Sequence, residues 1–157
     1  MEGKVFLEHR LGEILDSLGI SFVRQSSSGT SLSSLGAYLT IIKLKDEATY
    51  WHCVRVALCG VKVAEALNLD FKALFYAGLM HADIHGYYLL KGVYDFSAEI
   101  ILRHRRYYSD GCPQNLPHSR VRYSEEAKKL IDRYARILAI IDFYEINKED
   151  WHAGKNT

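Results

Sequence analysis

Apolar residues in this chain recur at intervals of three and four, the period of a helix. Leu7, Leu11, Ile14, Leu15 and Leu18 mark an amphipathic helix over residues 5–18, with Gly19 as its stop. Residues 20–23 read as a short extended piece. The Ser-rich stretch 26–34 lacks the Gly-Lys-Ser/Thr ending of a phosphate loop, so it reads as a surface connection. Residues 34–44 are apolar again but show no clear period. Asp46 can cap a long helix over residues 47–67, with Tyr50, Val54, Ala57, Leu58, Val61, Ala64 and Leu67 as its buried stripe. Asp70 can cap the next, residues 71–83, whose face Leu74, Ala77 and Gly78 turns His81 toward the core; Gly86 reads as the end of this segment.

Ser97 is the expected cap of a helix over residues 98–107, and Ser124 of a last one reaching about residue 146. The apolar side of that last helix carries Leu130, Tyr134, Ile137, Leu138, Ile141 and Tyr144. Both prolines fall in residues 109–117, the clearest loop. These elements predict an all-α, compact multi-helix bundle. At 157 residues it is one domain: an N-terminal helix and connection over 1–45, a core over 46–147 and a polar tail over 148–157.

Composition narrows the function classes. Twenty basic and nineteen acidic residues leave a net charge of +1, which argues against a general electrostatic nucleic-acid binder. Cys53, Cys59 and Cys112 form no C-x-x-C pair, so neither a disulfide framework nor a thiolate zinc site is expected. No apolar run approaches the roughly 18 residues of a membrane span, and a cytoplasmic location is expected.

Against this background, residues 79–86 (LMHADIHG) stand out: two histidines and an aspartate in an apolar run. Asp142, among Ile140, Ile141, Phe143 and Tyr144, is the second anomaly. A carboxylate buried there needs a cation, a donor or an exit to solvent. Histidines and aspartates from several packed helices, gathered on a divalent metal, satisfy such groups together. His52, in the first half of its helix, is a third candidate.

His52-Cys53-Val54-Arg55-Val56-Ala57, the segment 61–69 and Tyr76-Ala77-Gly78-Leu79-Met80-His81 resemble the first metal-site helices of the HD-domain metal-dependent phosphohydrolases. In that family an isolated histidine, an adjacent His-Asp pair and a distant aspartate bind one or two divalent metals. The resemblance implies that His52, His81, Asp83 and Asp142 are metal ligands. Residues 103–116 align with the HHExxDGxGYPxGL segment of the HD-GYP subfamily at His104, Arg106, Gly111, Pro113 and Leu116, and residues 135–145 resemble its last metal-binding helix. The likeness covers about residues 46–145. Arg103, Arg105, Tyr108 and Cys112 depart from the subfamily pattern, which weighs against cyclic di-GMP hydrolysis and a three-metal site.

Ala82 separates His81 from Asp83. Residues two apart on a helix point about 200° away from each other, so Asp83 reaches the ion of His81 only if the helix bulges or ends between them. His85, four residues from His81, lies on the same helical face and is the alternative ligand, as is His104.

The expected activity is hydrolysis of a phosphomonoester or phosphodiester such as a nucleotide, using Mn, Fe, Co, Ni, Zn or Mg to polarise phosphate and activate water. Asp83, Arg103 and His104 are the expected catalytic residues, and Arg55, Arg103 and Arg106 the expected phosphate contacts. Tyr87 and Tyr88 could stack on a base. The alternative is a degenerate HD-type domain serving as a non-catalytic nucleotide-binding or regulatory module.

Overall fold

A computed structural model describes residues 2–18, 32–104 and 123–152. Among the described residues there are seven helices and no strand. They are α1 (Glu2–Ser17), α2 (Leu32–Lys45), α3 (Glu47–Ala66), α4 (Phe71–Met80), α5 (Ile84–Leu90), α6 (Asp95–His104) and α7 (Glu125–His152). The all-α expectation holds. None of these helices is long and apolar enough to cross a membrane.

α3 is the central element: it packs most extensively against α4 and also touches α1, α2 and α7, while α6 packs on α4, α5 and α7. Asp46 begins α3 as expected, its carboxylate accepting from the Thr49 N–H at 3.1 Å. The helix ends in a Schellman motif. Asn68 takes a left-handed φ of 53°, and the Leu69 N–H reaches back to the Ala64 carbonyl at 2.8 Å. Tyr50, Val54, Ala57, Val61 and Ala64 are buried as the stripe predicts, whereas Leu67 at the helix end is exposed.

α2 is a regular helix despite its missing period. Leu35 and Leu39 are buried, but Ile41 and Leu44 on other faces are 50% and 82% exposed, and apolar residues on several faces erase the amphipathic signal.

The segment expected to be one helix over residues 71–83 is two. α4 stops at Met80 with His81 as its C-cap, and Asp83 caps α5, which begins at Ile84. Gly86 therefore sits inside α5 rather than ending a helix. A Cβ at this position would lie 1.8 Å from the Met80 carbonyl oxygen, so only glycine lets the two helices meet so closely.

α6 begins at Asp95, two residues before the expected cap. The Ser97 hydroxyl instead donates to the Ala73 carbonyl on α4 at 3.0 Å. Ser124 does cap α7, its Oγ accepting from the Ala127 N–H at 3.2 Å. That helix runs past residue 146 to His152, so the first part of the expected polar tail is helical. Its buried stripe includes Ile131 and Ala135, and Leu130 is 42% exposed. The Ser-rich residues up to 31 and the Pro-containing loop lie outside the described residues.

Candidate metal centre

Four helices deliver polar side chains to one place in this apolar interior. His52 lies on α3, His81 at the end of α4, His104 at the end of α6 and Asp142 on α7. His52 Nε2 is 2.8 Å from Asp142 Oδ1 and 3.2 Å from His81 Nε2, and His81 Nε2 is 3.2 Å from the same Oδ1. His104 Nε2 approaches the other carboxylate oxygen, Oδ2, at 3.7 Å. His81, His104 and Asp142 are buried, and His52 is half-buried at the edge of the cluster.

Two of the imidazoles are pinned by the backbone. His81 Nδ1 donates to the Gly78 carbonyl and His104 Nδ1 to the Ile101 carbonyl, each at 2.6 Å and each three residues back in its own helix. A metal ion at the centre would meet the Nε2 lone pairs of these two rings with the protons kept on Nδ1, the tautomer and orientation that metal-bound histidines have. Burial works against ionisation of Asp142, yet hydrogen bonds with His104, His52 and His81 outweigh it and hold the carboxyl far below its usual range. The hub is thus an anion ringed by imidazole nitrogens, and it needs positive charge. Burial makes His104 a poor source of it, pushing its pKa below the ordinary imidazole value despite the hydrogen bond to Asp142.

The direction of the His104 shift sets a pH dependence. A histidine whose folded pKa is depressed takes up its proton more readily unfolded, so its contribution is complete above the unfolded value, about 6.5, and is lost as pH falls below it. The thermal midpoint of the metal-free protein should fall between about pH 6.5 and pH 5. His104→Gln should flatten that slope. An identical slope in the variant would place the titrating group elsewhere.

The three closest donor atoms fit a metal ion. Ligands bound at ~2.1 Å and at right angles to one another lie ~3.0 Å apart. The observed separations of 2.8, 3.2 and 3.2 Å bracket that value. His52, His81 and Asp142 form the one group of three or more potential ligands so gathered among the described residues. Cys53, beside His52, is not part of that group; burial and the nearby carboxylates of Asp142 and Asp83 push its thiol up to about 12.

Other expected site residues lie elsewhere. Asp83 is not among the gathered ligands: α4 ends before it, and its Oδ1 accepts from Tyr38 Oη and the His85 N–H at 2.8 Å and from the Gly86 N–H at 3.3 Å. It is the N-cap of α5 and stays outside the cluster. His85 is exposed, with Nδ1 3.5 Å from Asp83 Oδ1, and also stays outside. Arg103 reaches back to the buried Glu99 at 3.8 Å rather than toward the His52–His81–Asp142 cluster. Arg106 lies outside the described residues. Tyr87 is buried in the core; Tyr88 is exposed.

Arg55 is well placed. One turn after His52, it lines a cavity of about 490 Å³ together with Thr49, His52, Glu145 and Lys148, so the cluster opens to solvent on its His52 side. Arg55 Nε and Lys148 Nζ both hold Glu145 Oε2, at 3.2 and 2.8 Å. Lys148 was not foreseen because it lies in the expected tail. The i, i+3 spacing from Glu145 was the available signal. Comparison with protein-family models, with curated proteins and with solved structures returned no match to this chain.

Proposed function

We propose that this chain is a metal-dependent phosphohydrolase of the HD type, cleaving a phosphomonoester or phosphodiester of a small molecule such as a nucleotide. The observation that carries the reading is the convergence of His52, His81 and Asp142 from three helices on one point, at separations that suit an ion. A divalent cation held there supplies Lewis-acid polarisation of a phosphoryl oxygen and makes water a competent nucleophile at neutral pH. Two histidines and one carboxylate also suit O₂ chemistry on iron. Phosphoester hydrolysis is favoured by the cavity beside His52, where two cations, Arg55 and Lys148, face a single carboxylate.

The side chains divide the work. His104 faces Asp142 Oδ2 and keeps the carboxylate oriented. Arg55 and Lys148 bind and orient the phosphate, which displaces Glu145 as their partner, the guanidinium forking to two oxygens. A second reading, a non-catalytic nucleotide-binding or regulatory module, is favoured by Asp83, whose carboxylate serves as a helix cap.

Protein prepared without chelator should hold divalent metal and hydrolyse an aryl phosphate and members of a nucleotide panel when Mn²⁺ is supplied. Arg55→Ala should raise KM about 10-fold, the effect of losing a charge-assisted hydrogen bond to phosphate. Metal binding without hydrolysis of any phosphoester would favour the binding-module reading. A bound iron with O₂-dependent turnover would replace the hydrolytic one.

A further inference from the structure

A second cavity, of about 740 Å³, lies beside the first. Its walls are the α2 residues Tyr38, Ile41 and Ile42 and the α5 residues Tyr88 and Leu89. Its size falls within the range of small-molecule sites, and its walls are mostly hydrocarbon and aromatic ring. Burial and the bond to Asp83 keep the Tyr38 hydroxyl protonated, so Tyr38 itself adds no charge to the wall. Ile41 and Tyr88, on facing walls, are 50% and 55% exposed, so their apolar surface is open to a molecule in the cavity.

The position of this cavity says what it is for. Thr49 lines both cavities, and His52 is the next turn of α3. A molecule whose phosphate lies in the polar cavity beside His52, Arg55 and Lys148 has the apolar one immediately past Thr49. The linings differ: Arg55, Lys148, Glu145 and the His52 imidazole on one side of Thr49, and on the other a mostly apolar wall of Tyr38, Tyr88 and aliphatic groups, with Lys45, Asp46, Asp83 and His85 also on it. Their contents should therefore be the two ends of one amphipathic ester.

We propose that the cavity between α2 and α5 is the leaving-group pocket, and that the substrate is a phosphoester of a large aromatic alcohol rather than of a small polar one. The proposal rests on the hydrolytic reading of the His52–His81–Asp142 site. Ile41, Ile42 and Leu89 exclude water from the aromatic body, and Tyr88 packs against its ring.

Four simple compounds test it on the full chain with Mn²⁺ present. Hydrolysis of 1-naphthyl phosphate is compared with that of methyl phosphate. Equilibrium binding of 1-naphthylmethylphosphonate, which cannot be hydrolysed, is compared with that of methylphosphonate. The naphthyl compound should be favoured at least about tenfold in KM and in Kd, the effect of burying a ring system. Ile41→Asp, at an exposed position that the fold tolerates, should cut both preferences about tenfold, and Tyr88→Ser on the facing wall should act in the same direction. Equal affinity for the two phosphonates, or a preference that neither substitution moves, overturns the pocket. Failure to hydrolyse either phosphate overturns the hydrolytic reading instead, and the phosphonate pair still decides what the cavity holds. A nucleoside monophosphate preferred over naphthyl phosphate, with the same response to Ile41→Asp, identifies the aromatic body as a base.

Discussion

Asp142→Asn is expected to leave the helical fold in place and to remove the metal. Asparagine matches the volume of aspartate and keeps an acceptor oxygen, so the packing of α7 against α3 survives. Its neutral amide loses the charge that draws a cation, and it is a far weaker ligand. Metal content should fall from about one ion per chain to none after passage over a desalting column, and hydrolysis should fall by at least about 100-fold. Stability gives a readout independent of activity. Metal that binds only the folded state, at 100 times its Kd, adds about 2.7 kcal/mol, or about 5–10 °C in thermal midpoint for a domain of this size. The wild type should show that rise on addition of Mn²⁺ or Zn²⁺, and Asp142→Asn should not. An undiminished rise in the variant would show that the ion sits elsewhere and would falsify the assignment of Asp142 as the anionic ligand.

Gly78→Ala should damage both the fold and the site, although alanine is the better helix former. The gain in helix propensity is about 1 kcal/mol. Against it stands a backbone collision: a Cβ on Gly78 would lie 2.7 Å from Ala57 Cα and 2.9 Å from Ala57 N on α3. Carbon atoms pack at about 3.5–4.0 Å, so α3 and α4 must separate by nearly 1 Å, and overpacking of this kind costs about 3 kcal/mol. The collision wins by about 2 kcal/mol, which lowers the thermal midpoint by about 4–8 °C. The same displacement moves His52, carried by α3, away from His81, which ends α4 and is pinned to the Gly78 carbonyl itself. Metal sites tolerate about 0.2 Å in ligand distance, so affinity should fall at least about tenfold. A titration with Zn²⁺ alongside thermal melts of the metal-free protein separates the two effects. A variant with unchanged melting and affinity would mean that α3 and α4 do not approach so closely in solution.

Much of the architecture was legible because its causes are local. Asp46 and Asp70 cap the helices they were expected to cap, and the spacing of Val54, Ala57, Val61 and Ala64 marks the buried face of α3. Where prediction and structure differ, the cause is tertiary. α2 has no readable period because Ile41 and Leu44, on faces turned away from the core, are apolar as well. Residues 71–83 read as one helix, with Gly86 as the end of the segment, because no local pattern fixes that the chain turns at His81 and restarts on an Asp83 cap. Tyr38, forty-five residues upstream, completes that cap by donating to the same carboxylate oxygen.

The same division holds for the site. Sequence alone was enough to say that Asp142 and His81 are out of place in apolar surroundings and need a partner, because the cost of burying a charge depends on the neighbours that sequence displays. It also offered Asp83, on condition that the helix breaks before it, and His85 as the alternative, since both lie within four residues of His81. Only the packing of α3, α4, α6 and α7 could choose among them. It brings together His52 and Asp142, ninety residues apart, and adds His104, while the break after His81 turns Asp83 to the end of α5. Residue chemistry sets which groups can bind an ion. Which of them share one is decided by helix ends and crossing points, and these depend on contacts such as Gly78 against Ala57 that no local pattern encodes.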